Sequence, residues 1–383
     1  MTDLFTISRG ALLPALSAVI KAVERRSTIP ILQYVRLSYV DAALMITGTN
    51  LDVEICAKVT IENLHSFGGF TLPAGVLHDA VRKLPDSAEI KFQMDGKQDS
   101  SSFTISAGRS RFKLNSLPDS DFPEMAVADF THRMTMPAKQ LATALNLVSF
   151  AISTEETRYY LNGIYWHVTG IMEDALLGAV ATDGHRLAFH KMPMPMELST
   201  DMPGVIIPRR TINLLPALAA GEGDVLIELN SNKIRFTFAD ETVLSSKLID
   251  GTFPEYERVI PRNNENVFKI DVEPVKQAID RVLTISNDKG NGCKFQFEND
   301  HLSLSVINPD QGTADDQVLI ELLSGEPVNI GFNSKYCLEM LGVSDSKEAF
   351  ICLGDAGSPA LIHPSINGER SETTSFVLMP MRL

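Results

Sequence analysis

The chain reads as an α+β protein made of three copies of one unit, each with two helices packed on antiparallel sheets. Three observations predict this. A strand-helix start recurs three times, a weaker version recurs at half that spacing, and the segments between alternate with period two.

The three strong starts are FTISRGALLPALSAVIKAV from Phe5, MTMPAKQLATALNLVSFAIS from Met134 and FKIDVEPVKQAIDRVLTIS from Phe268. The first places Leu12, Leu13, Leu16, Val19, Ile20 and Val23 on one helical stripe. The second does so with Leu141, Ala144, Leu145, Val148 and Ile152, and the third with Val275, Ala278, Ile279, Val282 and Leu283. That spacing gives a helix one buried face.

The weaker starts are FTLPAGVLHDAVRKL from Phe70, VIIPRRTINLLPAL from Val205 and IGFNSKYCLEML from Ile330. Pro73, Pro137 and Pro208 suit a first helical turn, where a missing N–H costs nothing, and Asn333 suits an N-cap. Six helices are therefore expected, over 8–26, 73–84, 137–152, 208–219, 273–285 and 333–341. Between them, ALMITGTNLDVEICAKV, SSFTISAGRSRFKLNSL, KIRFTFADETVLSSKLI and HLSLSVIN read as strands joined by turns. Proline-bearing joints at DFPEM and VIPRN divide the 383 residues into domains 1–128, 129–261 and 262–383.

Composition narrows the function. The chain carries 44% hydrophobic and 21% charged residues, as ordinary globular material does. Cys56, Cys293, Cys337 and Cys352 are far apart with no paired spacing, which predicts neither metal nor disulfide and a reducing, cytoplasmic setting. ALLPALSAVI follows Asp3 and is broken by Pro14, so it is not a signal-peptide core, and no stretch has the length of a membrane helix.

Net charge is −14, which by itself argues against binding DNA. The distribution argues otherwise. The six expected helices carry +3, +1, +1, +2, 0 and 0 in chain order, a total of +7, which leaves −21 for everything else. A helix side shared by all three units would attract a polyanion.

The terminal SFVLMPMRL is apolar almost to its end, unusual for a chain terminus. Together with RYYLNG (158–163), ATDGHRLA (181–188) and DGTFPEYERVIP (250–261), it closely resembles the bacterial chromosomal sliding clamps, the beta subunits of DNA polymerase III. The resemblance covers the whole chain.

It implies the DNA clamp fold, two chains joined head to tail in a ring, and double-stranded DNA threaded through the hole. It also implies a groove beside the C-terminal tail that takes short peptides from the replicative polymerase and from other polymerases and repair proteins. Matched by motif, the groove is lined by Leu161, Thr182, Gly184, His185, Arg186, Leu187, Pro254, Arg258, Val259, Val377, Met379, Pro380, Met381 and Arg382. Arg26, Arg158, Tyr159 and Tyr160 are the implied DNA contacts; RYYLNG itself reads as a strand on which Tyr159 and Tyr160 alternate faces.

At the ring joint the resemblance sets Phe112 and Leu114 against Ile285, and Arg109 and Arg111 against acids such as Asp310 and Asp316. The sequence departs from the family pattern at Glu155, where a neutral polar residue is usual, and at Gly312 and Thr313, where carboxylates are usual.

An enzyme is the rival class. Asp183 and His185 suggest a hydrolytic relay, but no G-x-S-x-G elbow accompanies them. No G-x-x-x-x-G-K-[ST] loop is present, so ring opening implies a separate ATP-driven loader. No cofactor is expected.

Overall fold

The computed structural model describes residues 2–62, 64–95, 102–126, 128–170, 174–195, 197–286 and 291–382. Ser101 of the second expected hairpin and Leu383 of the tail lie outside the described residues. The chain forms two compact units, one of Met1–Gln140, Met196–Leu198 and Asn213–Leu248, the other of Leu141–Pro195, Ser199–Ile212 and Ile249–Leu383.

All six expected helices form. They are α1 (Arg9–Val19), α2 (Ala74–Lys83), α3 (Ala138–Ser149), α4 (Arg209–Leu218), α5 (Val272–Leu283) and α6 (Ser334–Gly342). Three of the starts have a local cause in their caps. Ser8 caps α1 by accepting from the Ala11 N–H, and Asn333 caps α6 by accepting from Lys335 and Tyr336. Pro73 stands one residue before α2, at the cap itself, where its absent N–H is equally harmless.

The expected apolar stripes are the buried faces. Leu12, Leu16 and Val19 of α1, Leu141, Leu145 and Val148 of α3, and Val275, Ile279 and Val282 of α5 are all buried. Each such side chain contributes about 1.5–3 kcal/mol of transfer free energy.

The first unit holds two sheets. One is four-stranded, in the order Thr2–Ser8, Glu89–Met94, Ser102–Ala107, Ser110–Asn115, with the last strand at its edge. The other is eight-stranded, and in its middle Val53–Thr60 pairs antiparallel with Val243–Lys247, Ile55 opposite Leu244. Strands distant in sequence thereby share one ladder.

The second unit is built on one 13-stranded sheet in which the C-terminal strand Thr374–Leu378 is interior. It pairs with Arg186–Pro193 on one side, Leu187 opposite Val377, and with Ala360–Ile366 on the other. The long strand Gly312–Ser324 pairs with His301–Asn308 through Leu319, and only from Ile320 onward with Asn266–Asp271.

Two expectations need correction. The first helix ends at Val19 rather than at residue 26; beyond it the chain tightens into turns in which Lys21 donates to Ala18, Ala22 to Val19 and Val23 to Ile20. Lys21, Arg25 and Arg26 therefore lie outside α1, and the helices carry +5 with −19 elsewhere. RYYLNG is not a strand either. Glu156–Leu161 is a 3-10 segment kinked at Arg158 (φ −111°, ψ 50°), so Tyr159 and Tyr160 do not alternate across a pleat.

Candidate binding groove

One face of the second unit's sheet carries a patch of Leu161, Val180, Leu187, Phe189, Ile206, Phe253, Tyr256 and Val377, with Tyr160 and Tyr165 packed against it. Five separated segments meet here, one of them Val205–Pro208 with Ile206. The 3-10 segment brings Leu161, the hairpin Leu176–Thr182 to Arg186–Pro193 brings Val180 and Leu187, the loop at 253–259 brings Phe253 and Tyr256, and the terminal strand brings Val377.

ATDGHRLA is the turn of that hairpin, and its sequence dictates its shape. The Asp183 carboxylate accepts the N–H groups of His185 and Arg186, while Thr182 Oγ1 accepts from Gly184 and donates to the Arg186 carbonyl. Gly184 has φ +89°, which side-chain-bearing residues rarely adopt, and a Cβ there would stand 2.9 Å from Arg158 Nη1. His185 is exposed and lends its backbone carbonyl to the Met379 N–H at 2.9 Å.

Arg186 is the buried polar centre, 8% exposed. Its guanidinium bonds Asp183 at 3.0 Å, Glu339 of α6 and the Phe150 carbonyl at 2.7 Å, between the rings of Phe150 and Tyr336. A planar fork with five donors satisfies these partners as an ammonium could not.

The tail continues beyond its strand. Met381 N donates to the Gly331 carbonyl at 2.9 Å, and Met379 is 42% exposed beside half-buried Pro380 and Met381. Val259 is 49% exposed, and Pro254, Arg258 and Arg382 are also exposed. A buried apolar floor thus shares its unit with exposed apolar side chains of the tail and the 253–259 loop.

Behind the rim, Tyr165 stacks between Phe253 and His167, and His167 Nε2 lies 2.9 Å from the Tyr256 hydroxyl. Burial holds the His167 pKa down at about 4 and pushes Tyr256 up, so both are neutral across physiological pH. Around them is a cleft of about 360 Å³ that includes Pro254 and Arg258.

All fourteen groove residues matched by motif fall in the second unit; of them Leu161, Leu187 and Val377 share the buried patch, and Met379 bonds the His185 carbonyl. The sequence reading missed Phe150, Tyr336 and Glu339, whose partnership with Arg186 spans up to 153 residues and leaves no local signal. It also missed Tyr256 and Phe253, although both stand inside the motif DGTFPEYERVIP.

The other site residues divide. Tyr159 is 54% exposed and Arg26 is exposed, whereas Tyr160 packs on the groove patch. Arg109 and Arg111 are exposed and Phe112 half-buried, but Leu114 is only 9% exposed within its own chain, so it has little left to bury at a joint. Asp316 is bonded to Arg281 at 2.6 Å rather than left open, and Asp310 is exposed. Half-buried Ile285 is fixed through its carbonyl by Asn308 Nδ2 at 2.9 Å. Among the described residues no His, Cys, Asp and Glu cluster could hold a metal ion.

Three family models match in series. The N-terminal domain of the DNA polymerase III beta subunit matches residues 4–126, the central domain 135–255 and the C-terminal domain 257–382. The chain is 40% identical over 379 residues to the beta sliding clamp of Caulobacter vibrioides, covering 99% of each chain. It is 34% identical to that of Escherichia coli over 380 residues, covering 99% of this chain and all of the other.

Among solved structures, a sliding clamp from Bartonella birtlesii bound to griselimycin matches with TM-score 0.92 and 42% identity, covering all of both chains. The corresponding Pseudomonas aeruginosa clamp, bound to the same compound, matches at 0.92 and 36%, again over all of both chains. A threefold repeat, helices on antiparallel sheets, an apolar tail built into a groove and domain-by-domain correspondence agree: this chain belongs to the bacterial beta sliding clamp family, the beta subunits of DNA polymerase III.

Proposed function

We propose that two copies of this chain close head to tail into a ring around duplex DNA in the cytoplasm, and that the groove beside the tail tethers the polymerase to it. As a DNA polymerase III processivity clamp the chain is a non-catalytic subunit. The observation that carries the tethering reading is the interior placement of Thr374–Leu378, which sets Met379–Arg382 at the rim of the apolar patch.

Retention in such a ring is topological. Contacts to phosphates weaken steeply as salt rises, because each releases counterions, whereas a closed ring keeps its hold. Arg26 and Tyr159, both exposed, are suited to loose and sequence-independent contact with the duplex. The three domains run 1–128, 129–261 and 262–383.

Two strand edges support the joint. Ser110–Asn115 ends its sheet, and Gly312–Leu319 is paired on one side only among the described residues, so each presents unpaired backbone groups to a partner chain. Arg109 and Arg111 stand at the start of the first edge, Asp310 and Asp315 at the start of the second. A ring without an ATP-binding loop needs a separate ATP-driven loader.

The groove is suited to a transient grip. Two or three anchors at about 1.5–3 kcal/mol each give roughly 3–9 kcal/mol, against an association cost of at least about 4. Micromolar peptides in rapid exchange follow. That suits a docking point shared by competing polymerases and repair proteins, and exposed Met379 with half-buried Met381 adapts to several ligands.

The test is loading onto nicked circular DNA, raising the salt, then cutting the circle. Retention on the circle with release on linearisation is expected. Equal retention on both, or a lone monomer in solution, would overturn the ring.

A further inference from the structure

Arg186 and Arg258 of the groove and Arg158, beside its hairpin turn, share one arrangement: each has a carboxylate three residues before it that bonds it. Glu155 bonds Arg158 at 3.1 Å, Asp183 bonds Arg186 at 3.0 Å, and Glu255 bonds Arg258. The middle pair is buried and structural. The outer two are open to solvent, with Glu155 and Arg158 at 49% and 47% and Glu255 and Arg258 at 70% and 80%.

The first pair is built in place. Ser153 donates its N–H to the Leu161 carbonyl, and its hydroxyl accepts the Glu155 N–H, which anchors the acid at the start of the 3-10 segment. The kink at Arg158 then lays the guanidinium over Gly184, in the hairpin turn of the groove, where any side chain would crowd it. Arg158 therefore faces the rim with its charge already answered. Arg258 stands in the loop that supplies Phe253 and Tyr256, and its charge is answered in the same way.

We infer that Glu155 and Glu255 are specificity residues of the groove: each occupies the place an acidic side chain of a bound peptide would take, so the rim recognises apolar anchors and gives little reward for peptide carboxylates. The inference rests on the peptide-binding reading above. An arginine with no such neighbour would select acidic peptides through charge-assisted bonds. Here that selection requires displacing an intramolecular carboxylate held at high effective concentration.

The test uses the full-length protein and two labelled short peptides with leucine and phenylalanine anchors, identical except for one central Asp or Asn. Fluorescence anisotropy gives the ratio of their affinities. In the unmodified protein the ratio is expected within about twofold of one. In the doubly substituted Glu155→Gln, Glu255→Gln protein the Asp peptide should gain about three- to tenfold over the Asn peptide, the range for one or two exposed ion pairs. High salt should abolish the gain.

The double substitution Glu89→Gln, Glu222→Gln in the first unit changes net charge equally and should leave the ratio unmoved. A strong preference for Asp in the unmodified protein, an unchanged ratio in the groove variant, or an equal shift in the first-unit control would each overturn the inference. Failure of both peptides to bind the unmodified protein would instead refute the peptide-groove reading, and this inference with it.

Discussion

Arg186 shows how one side chain sets the groove's rigidity. It ties the hairpin turn to α6 through Glu339 and to the end of α3 through the Phe150 carbonyl. Truncating it leaves Asp183 without its cation and Phe150 O without a donor. Arg186→Ala should destabilise the protein by about 2–3 kcal/mol, less than a fully buried pair because Glu339 is partly solvated. Arg186→Lys should recover only part of this, since an ammonium cannot reach all three acceptors. Urea unfolding of the two variants decides.

His167 gives a pH dependence at the same scale. Its pKa is held near 4 in the folded protein against 6.5 when free, so protons bind the unfolded chain first. Its contribution is present above about pH 6.5 and is lost as pH falls toward 4. His190 and His363, also shifted down by burial, act in the same direction. His167→Gln should flatten the fall in unfolding free energy between pH 7 and 4.5 without removing it; an unchanged slope would exclude His167 from it. Glycine at 312 has a local reason too: its φ of +117° excludes the side chain that a family carboxylate would need there.

Among elements, the terminal strand separates two roles that are contiguous in sequence. Phe376, Val377 and Leu378 are core, while Met379 onward lies beyond the ladder. Deleting 379–383 should leave folding and assembly intact and abolish peptide binding and polymerase stimulation, whereas deleting 374–383 should remove an interior strand and leave little folded protein. Full stimulation by the shorter deletion would take the tail out of the mechanism. Helix stripes were legible because a buried face imposes a 3.6-residue period. The end of α1 was not, because Ala22 and Val23 continue the stripe through turns that bury apolar residues equally well. RYYLNG defeated period counting because one tyrosine packs and one faces solvent in a 3-10 segment just as on a strand. The groove's floor was legible only as motifs; its polar centre depends on contacts far apart in sequence.

For the whole molecule, the proposed ring makes assembly and DNA retention one property, and the joint is where to separate them from the groove. Phe112 is half-buried on an edge strand, on the same face as Leu114, which its own core already covers. Phe112 is thus the apolar anchor that remains available. Phe112→Asp puts a charge where a joint would desolvate it and adds negative charge facing Asp310 and Asp315, a like-charge arrangement that disfavours association. Sedimentation at nanomolar concentration should find the variant monomeric, with an unchanged circular dichroism spectrum and unchanged peptide affinity, because the groove lies wholly within the second unit. On nicked circular DNA the variant should wash off as salt rises. Thr313→Glu should act oppositely, restoring a carboxylate toward Arg109 and Arg111, though a single exposed pair limits the gain to about 1 kcal/mol at low salt. A Phe112→Asp protein that still sediments as a dimer would place the joint elsewhere. One that is monomeric yet stays on circular DNA at high salt would mean that adhesion rather than closure holds it there.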